Sequence, residues 1–161
     1  MAKAIDWRTE LARALQHAPP FGVLEIAFDQ ATAEQAWREN VPSDSVARDG
    51  EPFEPGRYGS LDDVDFATQA VVVWSSGESG WCPEWLSDVA TERKRVRLTV
   101  TANGDSCTDA YNHYRMVLAV DRSKLPVRRN LPTIRVTVPG SQATGYAVTA
   151  YPAKASLVRD W

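Results

Sequence analysis

Residues 65–85 read DFATQAVVVWSSGESGWCPEW, and this stretch decides the fold. Ala70, Val71, Val72, Val73 and Trp74 stand in a row as the strongest strand signal of the chain. A continuous apolar run bounded by turn residues predicts a central strand buried on both faces. Ser75-Ser76-Gly77-Glu78-Ser79-Gly80 then reads as a small polar loop, closed by Trp81, Cys82, Pro83 and Trp85. Tryptophans at the end of a buried strand need other strands to cover them, so the stretch points to a β-rich body.

Before this stretch, the spacing predicts two short helices with a strand between them. Trp7, Leu11, Ala14, Leu15 and Ala18 fall on one helical face over residues 4–18, with Asp6 as N-cap and Pro19-Pro20 as the stop. Residues 21–28 (FGVLEIAF) read as a strand, with Leu24 and Ile26 facing one way and Val23, Glu25 and Ala27 the other. Thr32 followed by Gln35 gives a capping-box pattern for a second helix over residues 32–40, with Ala33, Ala36 and Trp37 as its apolar stripe. Residues 41–63 hold three prolines, three glycines and few apolar anchors, and read as a long irregular loop pinned by Phe53 and Tyr58.

After it, Val96, Leu98 and Val100 alternate with Arg95, Arg97, Thr99 and Thr101, the pattern of a half-buried strand. Residues 102–105 (ANGD) form a turn, and residues 115–120 (RMVLAV) a second buried strand. Ile134, Val136 and Val138 mark another strand. Pro139-Gly140 opens a loop to Gly145, and residues 146–151 give a last strand placed as the hairpin partner of the one before. The expectation is one α+β domain over residues 1–161, mainly antiparallel β, with two short N-terminal helices and a five- to six-stranded sheet or sandwich.

Charge and composition exclude several functions. The net charge is −3 with both signs scattered, and the basic runs Arg93-Lys94-Arg95 and Arg128-Arg129 are short, which argues against nucleic acid. No apolar run has the length of a membrane span, so no membrane insertion is expected. The charged N-terminal residues lack the apolar core of a secretory signal. The expected place is the cytoplasm or a particle assembled there, with export reserved for a trimmed mature form. In the cytosol the default for Cys82 and Cys107 is two reduced thiols, although each lies beside a strand end and a bridge between them is geometrically open.

The order of elements resembles a known family. A strand and helix with Trp37, a variable loop, and Val64-Asp65-Phe66 come first. The valine strand, a Ser/Gly-rich loop from Gly77 to Trp81, a strand pair, and a second valine strand ending in Ser123-Lys124-Leu125-Pro126 follow. Over residues 22–127 this is similar to the C-terminal domain of the PrcB family of protease-complex subunits. Where that family carries a Thr-Gly-Gly-Tyr type turn, this chain has Ser79-Gly80-Trp81. The resemblance implies a small β-rich domain that binds or stabilises other proteins and is not itself known as an enzyme; members of that family are typically exported.

The candidate chemistry is sparse. Gly77-Glu78-Ser79-Gly80-Trp81 is not a nucleophile elbow, because that motif needs glycine two residues before and two after the serine. Cys107, Asp109 and His113, together with Cys82, offer the donors of a zinc site, but at no zinc-ligand spacing. Cys107 with His113 could also form a nucleophilic pair. The plainer reading is a buried cysteine beside a hydrogen-bonded loop. Asp62, Asp63 and Asp65 lack the alternation of a calcium loop and read as a polar turn into the central strand. His17 suits a helix C-terminus and carries no function.

These considerations favour a non-catalytic protein-interaction or assembly domain, an accessory or structural subunit of a bacterial or phage assembly. No cofactor and no metal are expected. The partner is another protein or a second copy. The binding surface is assigned to Glu78, Trp81, Trp85, Asp109, Tyr111, His113 and Tyr114, with Cys82 and Cys107 able to hold its two loops together. Trp81, Trp85, Tyr111, Tyr114 and Trp161 are expected to be partly exposed. A Cys/His enzyme, a zinc domain and a small-ligand binder with a Trp-rich pocket are the alternatives.

Overall fold

The computed structural model describes residues 10–18, 23–46, 55–79, 82, 84–92, 95–102, 107–125, 135–138, 141–144, 147–151 and 156–157. In chain order the elements are β1 (Glu10–Gln16), β2 (Val23–Ala27), α1 (Gln30–Asn40), β3 (Gly56–Arg57), β4 (Gln69–Ser79), β5 (Glu84–Glu92) and β6 (Arg95–Ala102). They continue with β7 (Tyr111–Asp121), β8 (Arg135–Val138), β9 (Ser141–Thr144), β10 (Ala147–Tyr151) and β11 (Ser156–Leu157). The valine run forms the middle of β4, as its composition predicts, and β4 is the middle strand of a seven-stranded sheet ordered β11-β10-β2-β4-β7-β1-β3. A four-stranded sheet follows the order β5-β6-β8-β9. Pairing is mostly antiparallel. The exceptions among the described pairs are β2 with β10 and β6 with β8, which run parallel.

Both faces of β4 are covered, which is why its sequence shows no alternation. Ala70, Val72 and Trp74 join Leu24, Ile26, Met116, Leu118 and Val120 on one face, with Leu98 of β6 in the same cluster. The four-stranded sheet therefore meets the large one over this face. Val71 and Val73 join Ala27, Val117 and Ala119 on the other, where Ala33 and Ala36 of α1 pack down and Trp37 covers the rim. Asp29 caps α1, its carboxylate accepting from the Thr32 amide at 2.9 Å. The cap is thus Asp29, three residues before the Thr32 that the capping-box reading named.

Several sequence expectations are corrected. Among the described residues there is one α-helix, and residues 10–16 of the predicted first helix are β1. Helix preference among Glu, Leu, Ala, Arg and Gln spans only a few tenths of about 1 kcal/mol per residue. Burying Leu11 alone contributes about 1.5–3 kcal/mol, and β7 adds a ladder from Glu10↔Leu118 to Gln16↔His113. Leu11, Ala12, Arg13 and Ala14 are all buried. A strand buried on both faces has no period-two signature, and Leu/Ala spacing then mimics a helix.

The polar loop over residues 75–80 is also corrected, because β4 continues through Ser79, paired with β7 down to Ser79↔Tyr111. The loop between residues 139 and 145 contains β9, which is the hairpin partner of β8. The last long strand, β10, instead crosses to the other sheet beside β2. Strand number exceeds the expected five to six for these reasons. Within residues 41–63, β3 pairs β1, and a 3-10 turn at Leu61–Asp63 is capped by Ser60 and Asp63. Tyr58 pins the segment as expected, its amide donating to the Leu11 carbonyl at 2.9 Å. Phe53, Trp7 and Trp161 lie outside the described residues. No helix among the described residues is long and apolar enough to cross a membrane.

Candidate functional site

The C-terminal half of β4 and the N-terminal half of β7 are polar where the rest of both strands is apolar. The register sets Ser75 opposite Arg115, Gly77 opposite His113, Glu78 opposite Asn112 and Ser79 opposite Tyr111. Alternation then sends Glu78 and Tyr114 to one face and Gly77, Tyr111, His113 and Arg115 to the other.

On the first face Arg13, itself 1 % exposed, holds the elements together. Its Nε and Nη2 donate to both carboxylate oxygens of Glu10, at 2.8 and 3.2 Å, and its Nη1 donates to Glu78 Oε2 at 3.2 Å. The Tyr114 hydroxyl donates to the other Glu78 oxygen at 3.2 Å, and the guanidinium lies 5.6 Å from the Tyr114 ring centroid. Burial pushes the Glu10 carboxyl up from its ordinary value against the pull of Arg13, and Glu78 adds to the rise. Burial acts to lower Arg13, but Glu10 and Glu78 outweigh it and hold the guanidinium above its usual range. Tyr114 is pushed up to about 12, by burial first and then by the Glu78 charge.

On the second face a separate network lies under the C-terminal end of α1. The Asn40 amide donates to Glu25 Oε2 at 2.7 Å and to the Ala36 carbonyl at 2.8 Å. Arg115 Nε donates to Asn40 Oδ1 at 3.1 Å, and its Nη1 donates to the Ser75 hydroxyl. Burial pulls the Arg115 guanidinium below its ordinary value, against the attraction of Glu25. Charges held this far from water need a full set of partners, and these clusters act as rigid supports for the strand ends.

Beyond Ser79 the chain doubles back. The Cys82 amide donates to the Ser79 carbonyl at 3.0 Å, and Cys82 is bonded to Cys107 across a Cα–Cα distance of 5.4 Å. Cys82 is buried and Cys107 is exposed. The bond ties the end of β4 to the segment that leads into β7. A nucleophile or zinc ligand needs a thiolate, and neither sulfur in this bond supplies one. No group of three or more His, Cys, Asp or Glu side chains among the described residues could hold a metal ion.

The residues assigned from sequence therefore divide. Tyr111 is 51 % exposed, Asp109 is exposed and His113 is half-buried, so these three share the surface next to the disulfide. Glu78 is half-buried in its pair with Arg13. Tyr114 is buried at 5 %, which corrects its expected exposure; it shares a covered face of β7 with Met116 and Leu118. Trp81 lies outside the described residues, as does the side chain of Trp85, whose backbone belongs to β5.

Sequence reasoning missed Gly77 as a seat for Tyr111. A Cβ at position 77 would stand 2.3 Å from Tyr111 Cε1 and 2.6 Å from the Asn112 carbonyl oxygen. Glycine within a strand marks such a close approach, and the signal was hidden by reading residues 75–80 as a loop. The Tyr111 ring also meets His113 edge-to-face, with centroids 5.0 Å apart at 72°. Arg13, Glu25 and Arg115 were missed because a lone charge beside apolar residues looks like a solvent-facing position, and Glu10 and Asn40 because each follows polar neighbours.

No family model, no curated protein and no solved structure matches this chain.

Proposed function

We propose that this protein is a non-catalytic interaction or assembly domain that contacts a partner protein through the disulfide-bridged end of β4 and β7. The observation that carries the reading is Tyr111, a large aromatic side chain that is half exposed yet fixed in place. Its ring is seated over Gly77 and braced by His113. A pre-positioned aromatic loses little conformational entropy on binding, and tyrosine is among the residues that dominate interface energetics. Asp109 and His113 complete the surface, with Glu78 and Tyr114 as the support beneath it. The likeness of residues 22–127 to PrcB-type domains supports the same class, an accessory or structural subunit. The Cys82–Cys107 bond supports a setting where disulfides persist, either outside the reducing cytosol or on an assembled particle.

The test is site-specific photo-crosslinking in the cells that make the protein. A benzophenone amino acid at position 111 is expected to give one discrete adduct, and the same group at exposed Thr68, on the turn before β4, is expected to give none. A homodimeric adduct would identify self-association as the form of contact. Absence of a discrete adduct at position 111 would overturn the proposal.

A further inference from the structure

The Cys82–Cys107 bond joins a buried residue to an exposed one. Cys82 is 2 % exposed and pairs back to Ser79, the last residue of β4. Cys107 is exposed, as are Thr108, Asp109 and Ala110 after it. These residues lie outside any strand and lead into Tyr111, which meets β4 at the final rung of the ladder, Ser79↔Tyr111. The apolar clusters that hold β4 to β7 are built further along, from Ala70–Trp74 and Met116–Val120. Terminal rungs away from a packed core are the first to open, and the disulfide is placed where it restrains that opening. Thiol–disulfide exchange depends on access to one of the two sulfurs, and bonds with an exposed partner are the reducible, regulatory kind.

We propose that this bond is a redox latch on the Tyr111 platform, opened by a dithiol that attacks the Cys107 sulfur and expels Cys82. This rests on the interaction reading above and adds its regulation. The attacking thiolate forms a mixed disulfide with Cys107, while the Cys82 sulfur leaves with the bonding pair and takes up a proton. The reagent's second thiol then attacks the reagent's own sulfur in the mixed disulfide and releases Cys107 as a thiol. The dithiol is oxidised to a disulfide and the protein disulfide is reduced to two thiols. Burial raises a thiol's pKa and makes Cys82 the poorer leaving group, but a sulfur closed to solvent admits no attacker, so access sets the direction. Once the bond is cut, residues 107–110 no longer anchor the start of β7. Tyr111 then loses part of its fixed seat over Gly77 and against His113, and a partner must supply the ordering that the latch supplied. The oxidised chain is the binding form, and contact with a dithiol, as on entry into a reducing compartment, releases the partner.

The oxidised protein is incubated with reduced glutathione, quenched in acid and mapped by peptide mass spectrometry. The glutathione adduct is expected on Cys107, and an adduct on Cys82 would overturn the proposal. Reduction by dithiothreitol is expected in urea-free buffer, at a rate proportional to the dithiol and nearly flat at low urea. A rate that climbs steeply with urea, as global unfolding does, would make the bond a structural staple and sink the latch. In amide NMR spectra, reduction is expected to move residues 75–79 and 107–114 and to abolish the Tyr111–His113 ring shifts, while residues 70–74 and 116–120 stay in place. An unmoved Tyr111, or collapse of the whole spectrum, counts against it equally. With Cys82→Ser and Cys107→Ser combined, the position-111 crosslink is expected to be lost. A crosslink that persists undiminished sinks the latch and leaves the interaction reading standing. Absence of the crosslink with both cysteines present sinks the interaction reading, and the glutathione map and the spectra still decide the latch.

Discussion

Arg13 occupies a position where a guanidinium costs more to strand than to bury. Removing it takes away the guanidinium that Glu10 and Glu78 share, beside a Glu10 carboxylate that is buried. Arg13→Ala is therefore expected to destabilise the fold by about 3–5 kcal/mol, measurable by urea unfolding. Glu10 behaves differently, because its folded-state carboxyl is raised above its ordinary 4.5, by burial first. For such a group the native state holds the proton more tightly than the unfolded chain does. The resulting stability is complete below the unfolded value and is lost as pH rises through the folded one. Wild-type stability minus that of Glu10→Gln should fall as pH rises from 4.5 upward. Paired urea titrations across that range check this, and a difference that rises with pH would contradict the assignment of burial as the dominant cause. At this scale the sequence was least legible. An arginine flanked by Leu11, Ala12, Ala14 and Leu15 is a visible oddity, but only the distant pairing of β1 with β7, and of β7 with β4, reveals what it bonds.

The strand pair β4–β7 carries most of the inferences, and its ends differ in kind. The apolar half was readable directly, since Ala70–Trp74 and Met116–Val120 have no other use than a two-sided core. The polar half was not, because serine and glycine are turn formers in isolation and become strand residues only where a neighbour supplies the ladder and the packing. Gly77→Ala tests that account. The new methyl would meet the Asn112 backbone oxygen as well as the flexible ring of Tyr111, so the strand itself must yield. The expected cost is about 1–3 kcal/mol, with loss of the Tyr111–His113 contact visible in the His113 ring shifts. The disulfide tests the same region from outside. It closes a loop with a sequence separation of 25 around the β5–β6 hairpin. In the chain-entropy picture, replacing both cysteines with serine should lower stability by about 3.5 kcal/mol, read as a lower urea midpoint. β1 teaches the complementary lesson, for its helix-like spacing lost to a ladder that no local window contains.

At the scale of the whole molecule, the described residues form two sheets and one α-helix arranged so that the long sheet is covered on both faces. That class was legible from patterning, as α+β and mainly antiparallel β. The crossing of β10 to lie parallel beside β2 was not legible, because adjacency in sequence favours a hairpin and only the completed sheet offers β2 an open edge. The candidate surface was half legible. Cys82, Cys107, Asp109, Tyr111 and His113 were named from composition, whereas burial of Tyr114 depended on a register that the sequence does not state. The account as a whole claims a clamped platform presenting Tyr111, and it denies a thiol or a metal at the same place. Intact mass spectrometry of the natively isolated protein, alkylated without reduction, tests this most directly. The account predicts an unalkylated chain two hydrogens lighter than the reduced form, with Cys82 and Cys107 in one linked peptide. Two alkylated thiols would contradict it, returning both sulfurs to chemistry and removing the clamp from the proposed interface.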